Sequence, residues 1–80
     1  MNLQEFTNRA EKLGYKRLSR TFKNELGCTI YGFTYEKNNW SLNHWFMEID
    51  ERMYFDHTYS TDTGRISNKP NKQVWRLKGY

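Results

Sequence analysis

The sequence has few of the residues that build an aliphatic core or a disulfide framework. Its 80 residues include one cysteine, one proline, one valine, one alanine, three isoleucines and six leucines. A single thiol, Cys28, can neither close an internal disulfide nor form a zinc site. Small secreted domains usually depend on disulfides, so the shortage predicts a reducing compartment, the cytoplasm of a host cell.

The signatures of catalysis and of resident metals are also missing. The five glycines are scattered, so no glycine-rich phosphate loop is present. His44 and His57 lack companions at metal-ligand spacing. Asp56 precedes His57, but consecutive strand residues point to opposite faces, which predicts no acid–base pair. We therefore expect a protein that is not an enzyme and that has no metal and no cofactor. No segment has the apolar length of a membrane span or of a signal peptide, which predicts no membrane partner.

Aromatic residues are abundant: three tryptophans, six tyrosines and five phenylalanines. A chain of this length forms one domain, residues 1–80, with a thin core. Rings bury roughly 150–250 Å² each, so they must supply most of that core. Their number exceeds what a thin core needs, and surplus aromatics are favoured at binding surfaces.

The net charge is +4, and its distribution along the chain runs basic, acidic, basic. Residues 9–23 hold six bases and one acid, residues 48–62 hold five acids and one base, and residues 63–80 hold five bases and no acid. Clustered bases suggest nucleic acid or an acidic protein, although a mixed solvated surface explains them equally well. The candidate basic contacts are Lys16, Arg17, Arg20, Lys23, Arg65, Lys69, Lys72 and Arg76.

The pattern of apolar residues predicts an α+β fold, with one N-terminal helix packed on one face of a mostly antiparallel four- to five-stranded sheet. Asn2 and Glu5 form a capping-box pattern, and Gly14 suits a helix end, which places the helix at about 3–13. Segments rich in β-formers predict the strands. These strands are placed at about 15–23, 28–37, 42–50, 53–60 and 74–78. A turn at residues 24–27 separates the first two strands, and Trp75 and Leu77 share one face of the last. A helix over Leu18 to Leu26 is the alternative for part of this region.

The hairpin between the third and fourth strands has two possible registers. Trp45, Met47 and Ile49 share one face of the third strand, whereas Phe55, His57 and Tyr59 share one face of the fourth. A two-residue loop at Glu51 and Arg52 separates these sets, and a connection one residue longer, with a bulge, unites them. Burial of one face fixes register strongly, so we expect the odd-length connection. The united set would then pack on helix residues Phe6, Ala10 and Leu13.

In that register a second set of side chains faces away from the helix. One helix covers only one face of a sheet, and exposed aromatic patches mark interaction sites. The expected partner-binding residues are Trp40, His44, Phe46, Glu48, Tyr54 and Asp56.

The function expected from these features is binding. The chain suits a small phage-type or mobile-element inhibitor that blocks a nucleic-acid-handling protein complex. Segregated charge, surplus aromatics and the lack of a catalytic set favour steric blocking. The alternative is a DNA- or RNA-binding module that combines its basic ends with stacking aromatics.

Overall fold

A computed structural model describes residues 1–79 as two helices and five strands. In chain order the elements are α1 (Leu3–Lys12), β1 (Lys16–Lys23), β2 (Thr29–Lys37), β3 (Trp40–Ile49), β4 (Arg52–Ser60), β5 (Ile66–Ser67) and α2 (Lys72–Lys78). The strands form one antiparallel sheet in the order β1-β2-β3-β4-β5. Buried side chains of both helices join a single core cluster on one face of the sheet. The predicted α+β class is therefore confirmed, with a second helix added to the predicted layer.

Helix α1 begins and ends where its sequence indicates. The Asn2 side chain accepts a hydrogen bond from the Glu5 backbone N–H at 2.9 Å, and the Glu5 carboxylate accepts one from the Asn2 backbone, which completes the capping box. Gly14 follows with a φ of 93°, a left-handed conformation that glycine adopts without strain. The chain then turns directly into β1, and Tyr15 is buried in the core.

The predicted strand at 74–78 is wrong, because this segment is helix α2. The Asn71 side chain accepts a hydrogen bond from the Val74 N–H at 3.1 Å, and Gly79 ends the helix in the left-handed conformation. Val74 and Leu77 lie three residues apart on one helical face, and both are fully buried. Trp75, which an alternating pattern paired with Leu77, is exposed instead.

The region from Leu18 to Leu26 is not helical. Strand β1 continues to Lys23, and a turn follows in which the Asn24 side chain accepts hydrogen bonds from the backbone N–H groups of Leu26 and Cys28, both at 3.0 Å. The Asn24 side chain thus satisfies two backbone N–H groups of the turn, which is a common role of asparagine in turns. The helical alternative is therefore wrong, and the predicted turn is confirmed.

The β3–β4 connection has two residues, so the predicted odd-length connection is wrong. Ile49 pairs with Arg52, and Asp50 and Glu51 form the turn with φ values of 49° and 62°. Positive φ at both central residues belongs to the turn type whose twist matches a hairpin. Phe46 consequently pairs with Phe55.

A bulge does exist, but it lies inside β4 and not at the turn. Phe46 pairs with Phe55, whereas the preceding Trp45 pairs with His57, which leaves Asp56 as the extra residue. The bulge changes which face the later residues of β4 occupy. Phe55 thus shares a face with Phe46, while His57 shares the opposite face with Trp45.

The core face is the one that carries Phe46. Its ring centroid lies 4.6 Å from that of Phe6 on α1 and 6.1 Å from that of Phe33, and it is fully buried. Phe55 packs edge-on against Phe46 at 5.7 Å, which agrees with its predicted core position. Trp45 lies on the opposite face, and Met47 and Ile49 are absent from the core cluster of both helices. The prediction that Trp45, Met47 and Ile49 pack on α1 is therefore wrong.

Gly32, in the middle of β2, is required by the position of the Trp45 indole. A Cβ atom at Gly32 would lie 2.8 Å from two indole carbons of Trp45 and 2.8 Å from the Leu18 Cδ1 atom. Such distances are well inside van der Waals contact, so a neighbour must move. The missing side chain lets the indole lie against the β2 backbone.

We expect Gly32→Ala to lower the free energy of unfolding by about 1–3 kcal/mol, because the added methyl overpacks this contact. Urea unfolding measures the change. Shortening one neighbour should recover part of the loss, so the double variant Gly32→Ala with Leu18→Ala is the control. A Gly32→Ala protein as stable as the wild type would contradict the proposed packing of Trp45.

Candidate functional site

The face of the sheet opposite the two helices, called the open face here, carries a cluster of rings. Because β-strand side chains alternate, the face opposite Phe33 and Phe46 receives Gly32, Trp45 and, beyond the bulge, His57. No described helix packs there, since the buried residues of α1 and α2 belong to the core on the other side. The open face is thus a surface of the sheet that no described helix covers.

Trp45 is the centre of the open face. Its side chain is only 3% exposed, although no helix covers it. The Phe22 ring lies 5.1 Å away at a tilt, and the His57 ring stacks at 6.0 Å with an interplanar angle of 13°. Neighbouring rings therefore shield the indole and are themselves at the surface: Phe22 is 46% exposed.

A groove of about 370 Å³ follows this cluster. It is lined by Arg20, Phe22, Asn43, Trp45, His57, Tyr59, Thr61 and Ile66. The Arg20 guanidinium lies 5.3 Å from the centre of the Phe22 ring, close enough for a cation–π contact. The groove combines aromatic walls, amide and hydroxyl groups, and one permanent charge.

Asp56 and His57 form an acid–base pair at the edge of this cluster. The Asp56 carboxylate lies 2.5 Å from His57 Nδ1, and both side chains are partly exposed. The prediction that they point to opposite faces is wrong, because the bulge at Asp56 breaks the alternation. The bond fixes the orientation of the imidazole that stacks on Trp45.

Two of the predicted partner-binding residues are buried in the core. Phe46 and His44 are both 0% exposed, so the prediction that they face away from the helix is wrong. His44 Nδ1 lies 2.8 Å from the Thr58 hydroxyl, whereas Nε2 has no hydrogen-bond partner among the described residues. Burial lowers the pKa of His44 to about 4, because the charged form loses its hydration.

The other predicted contacts are dispersed. Tyr54 is 41% exposed and pairs with Met47 on the open face, and it also borders a hollow lined by Met1, Phe6 and Lys78. Trp40 is half-buried at the start of β3 on the helix side, beside Tyr35 at 6.3 Å. Glu48 is partly buried near the β3–β4 turn, remote along the strand from the groove. The acidic stretch thus follows the length of the hairpin and does not form one patch.

The predicted basic contacts do not form one surface. Lys16, Arg17, Arg20 and Lys23 lie on the edge strand β1, where Arg20 borders the groove and Arg17 lies over the Tyr31 ring at 4.9 Å. The remaining four residues lie elsewhere. Arg65 directly precedes β5, Lys69 follows it, and Lys72 and Arg76 are on α2 in the helix layer.

Sequence reasoning missed most of the groove. His57 and Tyr59 were not among the expected contacts, because the odd-length hairpin placed the wrong face outward. Phe22 and Ile66, which lie outside that hairpin, were not among them either. One signal was available: Gly32 interrupts a segment of strong β-formers, and glycine inside a strand often marks the close approach of another group. The approaching group is the Trp45 indole.

No group of three or more His, Cys, Asp or Glu side chains among residues 1–79 is placed to hold a metal ion. Neither of the helices described has the length and apolar character needed to cross a membrane.

Comparison with family models, with curated proteins and with solved structures gives no match for this chain. Any functional interpretation therefore depends on the site itself.

Proposed function

We propose that this chain is a small non-enzymatic binding protein whose open face covers part of a larger protein complex. The class we favour is a phage-type or mobile-element inhibitor that blocks a nucleic-acid-handling complex in the host cytoplasm. The observation that carries the proposal is the ring cluster around Trp45, in which Phe22 is exposed and His57 partly exposed, on a sheet face that no described helix covers.

The composition of the open face favours a protein partner. Phe22 and Tyr54 are exposed large side chains, and Ile66 at the adjoining edge is also exposed. Aromatic residues with few charges at the centre are typical of protein interfaces, where they fill pockets of the partner. Trp45, held in place by its neighbours, gives this surface a rigid base.

The distribution of charge also favours a protein partner over nucleic acid. A polyanion is bound by bases that follow its backbone, but only Arg20 among the eight candidate bases lines the groove. The bases of α2 are in the helix layer, on the other side of the sheet. Charge at the periphery of an interface mainly steers association and selects partners.

Catalysis is not part of the proposal, because the Asp56–His57 pair has no evident nucleophile. The single thiol, Cys28, precedes β2, whereas His57 lies in β4, with β3 between these strands. Among the described residues, the hydrogen bond that His57 makes is to Asp56. We infer that the Asp56–His57 hydrogen bond orients the imidazole ring and that the two side chains contact the partner.

Two truncations on the open face test the proposal. Phe22→Ala and Tyr54→Ala should each weaken partner binding by about 2 kcal/mol or more, as aromatic hot spots do. Both side chains are more than a third exposed, so each change should cost much less stability than a core truncation. Surface plasmon resonance on the purified complex measures affinity, and thermal melts measure stability.

The matched control is Leu26→Ala, which removes an 83% exposed apolar side chain in the turn before β2. We expect that variant to bind like the wild type. Equal affinity for the Phe22, Tyr54 and Leu26 variants would show that the partner binds another surface.

The second candidate is a single-strand nucleic-acid binder, and Arg20 beside the rings of Phe22 and Trp45 favours it. Bases stack on aromatic rings while cations neutralise phosphates. If the four bases of β1 each contact a phosphate, log affinity should fall with a slope near −2.8 against log salt for a single strand. That slope means about a fiftyfold loss of affinity between about 50 and 200 mM salt.

One purification distinguishes the two candidates. Tagged protein is used to capture partners from host lysate with and without nuclease, followed by the salt titration on any recovered nucleic acid. A defined protein recovered despite nuclease, and lost with Phe22→Ala but not with Leu26→Ala, supports the inhibitor proposal. Nucleic acid alone, with the steep salt slope, supports the second candidate and rejects the first.

A further inference from the structure

A second cavity lies on the helix side of the sheet, away from the open face. Its volume is about 300 Å³, the lower end of the range for small-molecule sites. It is lined by Leu13, Tyr15, Tyr35, Lys37, Trp40, Gln73 and Arg76. These residues come from the α1–β1 connection, the end of β2, the start of β3 and α2, so the cavity forms only when all four segments meet. We call it the helix-side pocket.

Three aromatic rings form the walls of the helix-side pocket. The Tyr15 and Tyr35 rings lie 5.5 Å apart, and the Tyr35 and Trp40 rings lie 6.3 Å apart, both pairs tilted by about 50°. Tyr15 is buried, and burial raises the pKa of its hydroxyl, with the Arg76 charge acting in the opposite direction. Rings at these spacings pack against one another and form a continuous aromatic wall, and a planar group can lie against the side of that wall that faces the cavity.

The charge in the helix-side pocket has one sign. Lys37 and Arg76 line it, and no carboxylate does. Within residues 1–79, no carboxylate lies within ion-pair distance of Lys37 or Arg76. The ion pair found in this part of the chain joins Asp56 and His57. Glu36, the acid next to Lys37, lines an adjoining hollow with Asn38 and Asn39, and that hollow shares Trp40 with the helix-side pocket. Among the described residues, the pocket therefore presents two positive charges that have no carboxylate partner.

We propose that the helix-side pocket binds a small planar aromatic anion of the size of a nucleoside monophosphate. The planar ring lies against Tyr35 and Trp40, and the anionic group contacts Lys37 and Arg76. The Gln73 amide supplies a donor and an acceptor for the edge of the ring. Arginine and lysine are the common phosphate ligands of proteins, and stacking on aromatic side chains is tolerant of the base. The site is independent of the proposed function of the open face.

The test uses adenosine monophosphate as the probe and the indole N–H signals of the three tryptophans as reporters. Each tryptophan marks a different region: Trp40 the helix-side pocket, Trp45 the open face and Trp75 the exposed surface of α2. We expect a saturable shift of the Trp40 signal alone. Adenosine and inorganic phosphate, which each lack one half of the ligand, should bind at least about tenfold more weakly.

Charge-removing variants complete the test. Lys37→Gln and Arg76→Gln should each weaken binding about tenfold or more, since each removes a charge-assisted contact. Lys72→Gln is the matched control, because Lys72 is an exposed base of the same helix that does not line the pocket. Phe22→Ala on the open face should leave the affinity unchanged, which separates this proposal from the function of that face.

Three results would overturn the proposal. The first is no saturable shift of the Trp40 signal up to about 10 mM probe. The second is a shift centred on Trp45, which would place the ligand on the open face. The third is an equal loss of affinity in Lys37→Gln, Arg76→Gln and Lys72→Gln, which would indicate general attraction to a basic protein. Thermal melts of each variant establish that it is folded.

Discussion

Phe46→Ala should lower the free energy of unfolding by about 3–5 kcal/mol. Phe46 is fully buried and contacts the rings of Phe6, Phe33 and Phe55, so its removal leaves a cavity between the helix layer and the sheet. A domain of this length has a total stability of about 4–12 kcal/mol. The loss should lower the melting temperature by about 15 °C or more.

Ile49→Ala is the informative comparison, because the rejected register makes Ile49 a core residue and Phe46 a surface residue. Ile49 is half-buried at the end of β3, so its truncation should cost only about 1–2 kcal/mol. Should Phe46→Ala fail to fold, Phe46→Leu against Ile49→Val gives the same ranking with smaller losses. If the Ile49 variants are the more damaging, the two-residue hairpin and the open face are both wrong.

The second large effect concerns His44 and acid. The pKa of His44 is about 4 in the folded protein and near ~6.5 in the unfolded chain, because burial disfavours the charged ring. Between these values the unfolded chain binds more protons than the folded one. The free energy of unfolding should therefore decrease as the pH falls from about 6.5 to about 4, by about 3 kcal/mol in total, and this contribution should be fully present above pH 6.5.

Urea unfolding of wild type and His44→Gln over that pH range isolates the effect. Wild type should lose stability as the pH falls, because protonation of His44 favours the unfolded chain. His44→Gln should lack this part of the pH dependence whatever its absolute stability, since the titrating ring is gone. An unchanged pH dependence in His44→Gln would show that His44 does not titrate between these limits. Tyr15, whose ring lies 5.6 Å from His44, stays uncharged in this range and contributes nothing.

The sequence signals for α1 were sufficient because they are local. Asn2, Glu5 and Gly14 determine where the helix begins and ends, and each acts through the backbone of its own segment. Helix α2 had comparable signals in Asn71 and Gly79. The alternation of Trp75 and Leu77 nevertheless led to the prediction of a strand, although the three-residue spacing of Val74 and Leu77 fits a helix.

The face of the sheet was not predictable by the same means. Both faces of β3 carry aromatic side chains, Phe46 on one and Trp45 on the other, so alternation alone does not identify the core face. The deciding feature is the bulge at Asp56, which places Phe55 on the core face and His57 on the open face. The sequence indicated that one residue was inserted in this hairpin, but it did not indicate that the insertion lies within β4.

The central claim is that the open face is the binding surface, and hydroxyl-radical footprinting of the purified partner complex tests it most directly. Phe22, Tyr54 and Tyr59 report on the open face, whereas Trp40 and Trp75 report on the helix side. The account predicts lower oxidation of the first three residues in the complex than in the free protein, with Trp40 and Trp75 unchanged. Protection of Trp40 and Trp75, with Phe22, Tyr54 and Tyr59 oxidised as in the free protein, would contradict it.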